Sequence, residues 1–194
     1  MGKSYDNTII TAEVSLAIEA LLIGNSTLTW DPSTGKINMD TPPTGFTRLG
    51  AVVEDSPTLT IRRDKFMLKL GVPKALQFEA VIGVDGEFSC TIYGKSNDVA
   101  KYAFGTDIVS LSTFGTRIAF GKTTLNKYAL LGVADFTDGT QVVHYFKEVS
   151  IKPEVSENLR PDDVGKIPMG FDCYSHISTI HGSERIVGER VYFK

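Results

Sequence analysis

The sequence contains three tripeptides that resemble the end of a phosphate-binding loop, Gly-Lys-Ser or Gly-Lys-Thr, which start at Gly2, Gly94 and Gly121. A P-loop also needs a glycine five positions before the glycine of this tripeptide, because a run of backbone amides must wrap the phosphates before the lysine reaches them. Ser89 and Thr116 occupy that position for the second and third copies, and the first leaves no room for it. We therefore expect no nucleotide site, and Gly94 is predicted to end a strand ahead of a capped helix.

A metal site is the second kind of chemistry to consider. Cys173 and His176 have the spacing of a ligand pair, and His181 follows them. In an extended segment, however, the odd separation of His176 and His181 turns their side chains to opposite faces. No second Cys/His cluster is present in the sequence to complete the four ligands of a structural zinc site. We expect these histidines to lie at a surface or an interface and to bind no metal.

Nothing in the sequence favours catalysis. It contains no Gly-x-Ser-x-Gly nucleophile elbow. A cluster of carboxylates lies in a polar segment that contains proline, which is typical of a solvated loop and not of an acid–base pair in a pocket. These carboxylates are Glu154, Glu157, Asp162 and Asp163. We therefore expect no enzyme activity and no cofactor.

Composition limits the class of protein further. The chain has 194 residues, of which 42% are hydrophobic and 22% charged, so one domain with elaborations is expected. Its net charge of -3 provides no basic field for tight binding of nucleic acid. The longest apolar run, VSLAIEALLIG, is interrupted by Glu19 and is too short to cross a bilayer. We expect a soluble, intracellular protein in which Cys90 and Cys173 are buried thiols.

Turn and strand signals predict an antiparallel β-protein. From Phe46 onward, short runs rich in Val, Ile, Thr, Phe and Tyr are separated by Gly and Asp. Two alternating stretches are predicted to be hairpins with tight turns at Asp85-Gly86 and Asp138-Gly139, because such turns require positive backbone dihedrals that glycine adopts easily. Two long hairpins imply a sheet of at least four strands.

The beginning of the chain is harder to assign. The segment from Val14 to Leu22 is either an amphipathic helix or a buried strand, and the proline-containing stretch that follows is predicted to be a long surface loop or arm. We therefore divide the chain into an N-terminal segment with a surface arm, residues 1–47, a β-domain, residues 48–178, and a C-terminal extension, residues 179–194.

One helix is predicted between the two hairpins. Asn97 or the serine before it can cap free backbone amides, Val99, Tyr102 and Ala103 form one apolar stripe, and Gly105 can end the helix. A helix of about two turns is not stable alone, so its stripe must pack on a sheet. The predicted fold is mainly β, a barrel-like antiparallel β-sandwich with a short flanking α-helix.

A basic and apolar stretch is the candidate binding surface. Alternation through Lys65, Met67 and Lys69 fits an ordinary strand. Alternatively, the stretch forms a projecting loop that contacts another subunit, because protein interfaces favour aromatic, Met and Arg residues. Acidic residues 154–163 of a neighbouring copy would then complement its charge. The candidate interface residues are Arg62, Arg63, Lys65, Phe66, Met67, Leu68 and Leu70.

The order of these pieces resembles that of the major tail tube proteins of long-tailed bacteriophages. In that family an opening Leu-Gly strand with an acidic turn precedes a loop, a hairpin, a short helix and a late hairpin. Gly94 stands here where the family often has an acidic residue before the helix. The likeness spans residues 46–178 and rests on GFTRLGAVVEDSPTLTIRRD, FEAVIGVDGEFSCTIYGKSNDVAKYAFG, YALLGVADFTDGTQVVHYFKEVSIKPEV and IPMGFDCYSH.

The resemblance implies a subunit of six-membered rings that stack into a hollow tube, through which DNA passes at infection without specific binding. Partners would be further copies of the chain and tape-measure, tail-tip and terminator proteins. The location would be the virion tail, after assembly in the host cytoplasm, with no membrane contact. The region from Arg62 to Lys74 would form the contact between rings, and residues 31–46 are a second candidate. A mildly acidic channel suits this role because it repels phosphates.

Two other functions remain open at this point. One is a single-ring component of a virion or secretion tube on the same fold, such as a tail terminator, which would stop assembling at one ring. The other is a small-molecule-binding β-barrel, which would stay monomeric and enclose one ligand.

Overall fold

The computed structural model describes residues 4–15, 18–70, 75–93, 97–104, 108–110, 116–118, 126–152, 165–178 and 182–194. These residues form mainly β-strands, with one α-helix, α1, at Asn97–Phe104 and one 3-10 turn at Pro32–Thr34. The strands are β1 Ser4–Ser15, β2 Ala20–Asn25, β3 Phe46–Val52, β4 Thr58–Leu70, β5 Ala75–Tyr93, β6 Ile108–Ser110, β7 Thr116–Ile118, β8 Lys127–Asp135, β9 Gln141–Ile151, β10 Lys166–Cys173, β11 His176–Ser178, β12 Glu184–Ile186 and β13 Glu189–Phe193.

One large antiparallel sheet closes on itself. Its strand order is β1-β4-β5-β10-β9-β8-β2-β3, and β3 pairs back with β5 at Ala51 opposite Tyr93 and Val52 opposite Ile92. Strands β5, β10, β9, β8, β2 and β3 therefore form a ring, while β4 and β1 extend from β5 outside it and β13 pairs with β9. The predicted mainly-β, barrel-like sandwich is confirmed. Strands β1 and β2 of residues 1–47 and β13 of residues 179–194 belong to this same large sheet, whereas β12 pairs with β11 and β6 with β7 in two small separate sheets.

Aromatic side chains fill the space inside the ring. The ring of Phe88 stacks on those of Phe146 and Phe171, with centroids 5.5 and 5.7 Å apart. Val99 and Ala103 of α1 are buried against the same cluster. Burial of each such large side chain contributes about 1.5–3 kcal/mol to folding, which explains how a helix of only eight residues is held in place. The predicted helix and its apolar stripe are confirmed.

A second core lies on the other face of β2, β8 and β9. Leu131 and Val143 are buried there under Trp30, whose ring contacts that of Tyr145 edge-on at 5.8 Å. The surface loop at residues 26–45 therefore lies along the sheet as a cover. Its buried Ile37 is held by the equally buried Gln141, whose Oε1 accepts from the Ile37 N–H at 2.6 Å and whose Nε2 donates to the Ile37 carbonyl at 2.8 Å.

Only one of the two predicted hairpin turns exists. Strands β8 and β9 are joined by a turn in which Gly139 has a φ of 82°, as predicted. At Asp85-Gly86 the prediction is wrong, because β5 runs without interruption from Ala75 to Tyr93. The partner strands hold it straight: β4 pairs with it from Leu70 to Thr58, and β10 pairs with its second half.

The beginning of the chain resolves in favour of strands. The segment around Leu22, which was either helix or strand by sequence, contains β2 from Ala20. The described part of the chain contains no helix with the length and apolar character that crossing a membrane requires.

Candidate functional site

Three strands extend beyond the closed ring. Strand β10 pairs with β5 only from Gly86 to Tyr93, whereas β4 pairs with β5 down to Ala75. Strand β1 follows the outer edge of β4 along its length. We call this extension the ribbon, and it comprises residues 4–11 of β1, 62–70 of β4 and 75–85 of β5.

The first face of the ribbon is aromatic. The centroids of the Phe66 and Phe78 rings lie 6.4 Å apart. Leu68 is directly opposite Phe78, and Phe66 is two residues further along β4, on the same face. The side chain of Phe78 is 53% exposed. This face continues the outer surface of the sheet, where Arg62 forms an ion pair with Glu87 at 3.2 Å.

The opposite face of the ribbon is also partly apolar. Val81 lies opposite Lys65, whose ammonium group forms an ion pair with Glu79. One extra residue of β5, Ile82, is inserted before the strand pairing with β4 resumes at Gly83. Such a bulge twists the strand and turns its side chains outward. Val81 and Ile82 are 51% and 60% exposed.

The predicted interface residues lie on this ribbon, but not in a loop. Arg62, Arg63, Lys65, Phe66, Met67 and Leu68 belong to strand β4, so the strand alternative of the sequence analysis is the one observed. The expectation of a projecting loop over these residues is wrong because β1 and β5 pair with β4 on both edges. Residues 71–74 and the side chain of Leu70 lie outside the description.

Sequence reasoning missed the most exposed part of this surface. Alternation puts Phe78 and Ile82 on one face of a predicted hairpin arm, but it does not say whether anything covers that face. The continuous course of β5 carries both residues past the end of the ring, where their side chains are exposed.

A groove of about 760 Å³ lies beside the second face of the ribbon. Its floor is formed by apolar side chains of β4 and β5, and its wall by the segment that contains β12. Arg63 stands at the floor and Arg185 on the wall. The lining residues are Leu59, Ile61, Arg63, Val81, Ile82, Gly83, Val84, Glu184, Arg185, Ile186, Val187 and Gly188.

The wall of the groove is held in place by close packing of its last two residues, Val187 and Gly188. Val187 is buried and belongs to the cluster inside the ring. A Cβ atom on Gly188 would lie 2.7 Å from the Phe146 ring and 2.9 Å from the Tyr145 carbonyl oxygen, so only glycine fits there without displacement. The wall is therefore a fixed part of the fold, and the groove is preformed.

The two cysteine thiols are in unreactive environments. Cys90 and Cys173 are free and buried, as predicted. Burial raises the pKa of Cys90 far above its ordinary value and that of Cys173 to about 12. The thiolate is the reactive form of cysteine, so neither side chain is suited to nucleophilic chemistry or redox exchange at neutral pH.

His176 lies on β11 and is partly exposed, although its Nδ1 is shielded and has no hydrogen-bond partner among the described residues. Burial lowers its pKa, and the cation of Lys147 adds to this effect. Within the described residues, no group of three His, Cys, Asp or Glu side chains is arranged to hold a metal. His181, the Gly-Lys pairs of the three tripeptides and the carboxylates of residues 154–163 lie outside the described residues.

No protein-family model matches this sequence, and a search of curated proteins finds no significant match. The function must therefore be argued from the ribbon, the groove and the layout of the sequence.

Proposed function

We propose that this chain is a structural subunit of a phage tail tube, which assembles as stacked six-membered rings into a hollow conduit for DNA ejection. The observation that carries the proposal is the ribbon, which extends from the closed ring of strands and has apolar side chains exposed on both faces. The layout of residues 46–178, which resembles that of major tail tube proteins, supports it.

The exposed apolar side chains are concentrated on one strand. Phe78, Val81 and Ile82 lie within five residues of β5, and each is more than half exposed. Half-buried Phe66 and Met67 adjoin them on β4. Exposed apolar side chains concentrated in this way on both faces of a projecting sheet are typical of an interaction site, because an isolated soluble protein gains nothing from keeping them in water. Aromatic, Met and Arg side chains are also those that interfaces favour.

The ribbon has an open edge. Among the described strands, β1 pairs only with β4, so its outer edge presents backbone N–H and C=O groups. Strand β13 is likewise paired only with β9 within the described residues. Open edges accept strands from other chains, and a ring of subunits would satisfy them by joining neighbouring sheets. An assembly in which neighbouring copies cover the ribbon would therefore bury its exposed apolar side chains and give hydrogen-bond partners to the backbone groups of its open edge.

Charge supports the role of a conduit. The net charge is -3, and two of the cations on the ribbon form ion pairs, Arg62 with Glu87 and Lys65 with Glu79. A channel wall without a positive field lets a polyanion slide, whereas a basic wall would retain it by counterion release. Contacts with tape-measure, tail-tip and terminator proteins belong to the same proposal.

Light scattering after gel filtration tests the proposal. Wild-type protein should elute as ring-sized or larger species in a concentration-dependent manner. Phe78→Asp places a carboxylate on the aromatic face without disturbing the core, and should raise the concentration for half assembly at least about tenfold, the effect of about 1.4 kcal/mol. Phe136→Asp, the same substitution at the exposed β8–β9 turn, should assemble as wild type.

The other functions predict different results in the same experiment. A single-ring component would stop at one ring at any concentration. A protein that remains monomeric while both variants behave identically would contradict the proposal.

A further inference from the structure

The groove beside the ribbon carries an excess of positive charge. Arg63 and Arg185 are both exposed at the groove, and neither forms an ion pair with another described residue. Glu184 is the single carboxylate among the lining residues. Because two guanidinium groups stand beside an apolar floor, the matching occupant has carboxylates next to apolar side chains.

The wall of the groove consists of a short strand, β12, and the two residues that follow it, Val187 and Gly188. Five consecutive residues, 184–188, line the groove, although successive side chains of a strand point to opposite faces. Because neighbouring residues of this segment all contact the groove, the segment turns its backbone edge, and not one of its faces, towards the groove. Strand β12 pairs only with β11 within the described residues. An extended chain laid along this edge would gain backbone hydrogen bonds and pockets for alternate side chains.

The chain itself contains a segment with this chemistry. Residues 153–164, between the end of β9 and the start of β10, have the sequence PEVSENLRPDDV, with four carboxylates and one arginine. Val155, Glu157 and Leu159 would share one face of an extended segment, which places a carboxylate between two apolar side chains. Five such residues span about 17 Å at 3.3 Å each, the length of the five-residue wall.

The positions of the residues on either side of this segment favour docking into the groove of a neighbouring copy over docking into the groove of the same copy. Lys152, just before it, pairs with Glu87 on the outer face of the sheet, whereas the groove lies on the face of Leu59 and Ile61 that continues the core side. The chain re-enters the sheet at Lys166, the first residue of β10. The end of β10 nearest the groove is Cys173, seven residues later. That distance is about 23 Å at 3.3 Å per residue. Docking within one copy would require the segment to cross the sheet edge and come back.

We propose that residues 153–164 of one copy dock in the groove of the next copy, beside β12, with their carboxylates against Arg63 and Arg185. The inference rests on the proposed self-assembly and names the pair of surfaces that would hold neighbouring copies in register.

Charge reversal in the full-length chain tests the pairing. Arg63→Glu/Arg185→Glu and Glu154→Arg/Glu157→Arg should each raise the concentration for half assembly at least about tenfold. An equimolar mixture of the two variants should recover assembly, because each unlike pair restores attraction between copies. Arg48→Glu/Lys194→Glu, which changes two exposed cations away from the groove, should assemble as wild type. Loss in both variants without recovery in the mixture would overturn docking between copies.

A binding assay separates this inference from the proposed function. A fluorescent peptide of residues 151–164 should bind the wild-type chain saturably and bind Arg63→Glu/Arg185→Glu at least about tenfold more weakly, with loss of affinity at high salt. If rings or tubes form but the groove variants assemble normally and the peptide binds all variants alike, the inference fails and the proposed function stands. If the peptide depends on the arginines but no assembly forms, recognition in the groove is supported and the tube subunit is not.

Discussion

Gly86 lies directly against Val187. A Cβ atom on this glycine would be 2.4 Å from Val187 Cγ1 and 3.3 Å from Cys173 Cβ. Gly86 is not among the residues with positive φ, which include Gly139 and Gly182. The glycine is therefore required by a close approach between β5 and the wall of the groove, and not by a turn.

Replacing this glycine should destabilise the fold. In Gly86→Ala the added methyl group would displace Val187, and overpacking of a core in this way costs about 1–3 kcal/mol. Urea unfolding followed by circular dichroism measures the loss. Gly170→Ala is the matched control, because its methyl group would meet only the flexible Lys152 side chain, 3.0 Å away at Cδ. Equal stabilities of the two variants would show that Val187 does not pack on β5 as described.

The same residue shows why local sequence signals predicted part of this fold and not the rest. Asp85-Gly86 and Asp138-Gly139 are identical dipeptides between alternating apolar runs, and only the second is a turn. What distinguishes them is pairing with distant strands, since β4 and β10 both hold β5 straight. The helix at Asn97–Phe104 was predictable because its stripe and cap are local.

The attachment of the loop at residues 26–45 to the second core should depend on the buried side-chain amide of Gln141. The Gln141 side chain bonds both the N–H and the C=O of Ile37 and also donates to Asp135 at 2.8 Å. Gln141→Ala would leave two buried backbone groups without partners, at a cost of about 1–3 kcal/mol for each group.

Thermal unfolding and limited proteolysis of residues 26–45 measure this effect. Lys36→Met removes only the exposed hydrogen bond from the lysine to the Gly139 carbonyl and should change stability by less than about 0.5 kcal/mol. Unchanged protease resistance in Gln141→Ala would contradict the described tether.

Stability should fall on mild acidification because of His176. Burial, reinforced by Lys147, holds the pKa of this imidazole below its ordinary value, while Glu189 and Glu148 act in the opposite sense. The unfolded chain therefore binds the proton more tightly, so stability present above about pH 6.5 is lost as the pH falls through the lower pKa of the folded protein.

The variant His176→Gln has no such proton and should lose less stability between about pH 6.5 and pH 5. Urea midpoints at several pH values for both proteins give the two slopes. Parallel slopes would mean that His176 does not contribute.

The candidate site was partly within reach of the sequence. Arg62, Arg63, Phe66 and Met67 indicated an interaction surface by their types alone, and the structure places them on the ribbon. The groove was beyond reach, because it forms where Val81 and Ile82 meet residues 184–188, about a hundred positions later in the chain. No local pattern encodes such a meeting, which depends on the closed sheet that carries both segments.

Negative-stain electron microscopy of the purified chain, imaged over a range of concentrations, tests the central proposal most directly. We expect hollow rings at low concentration and stacked tubes of uniform diameter as the concentration rises, with the exposed ribbon of each subunit covered by its neighbours. A field of single compact particles at the highest attainable concentration would contradict it.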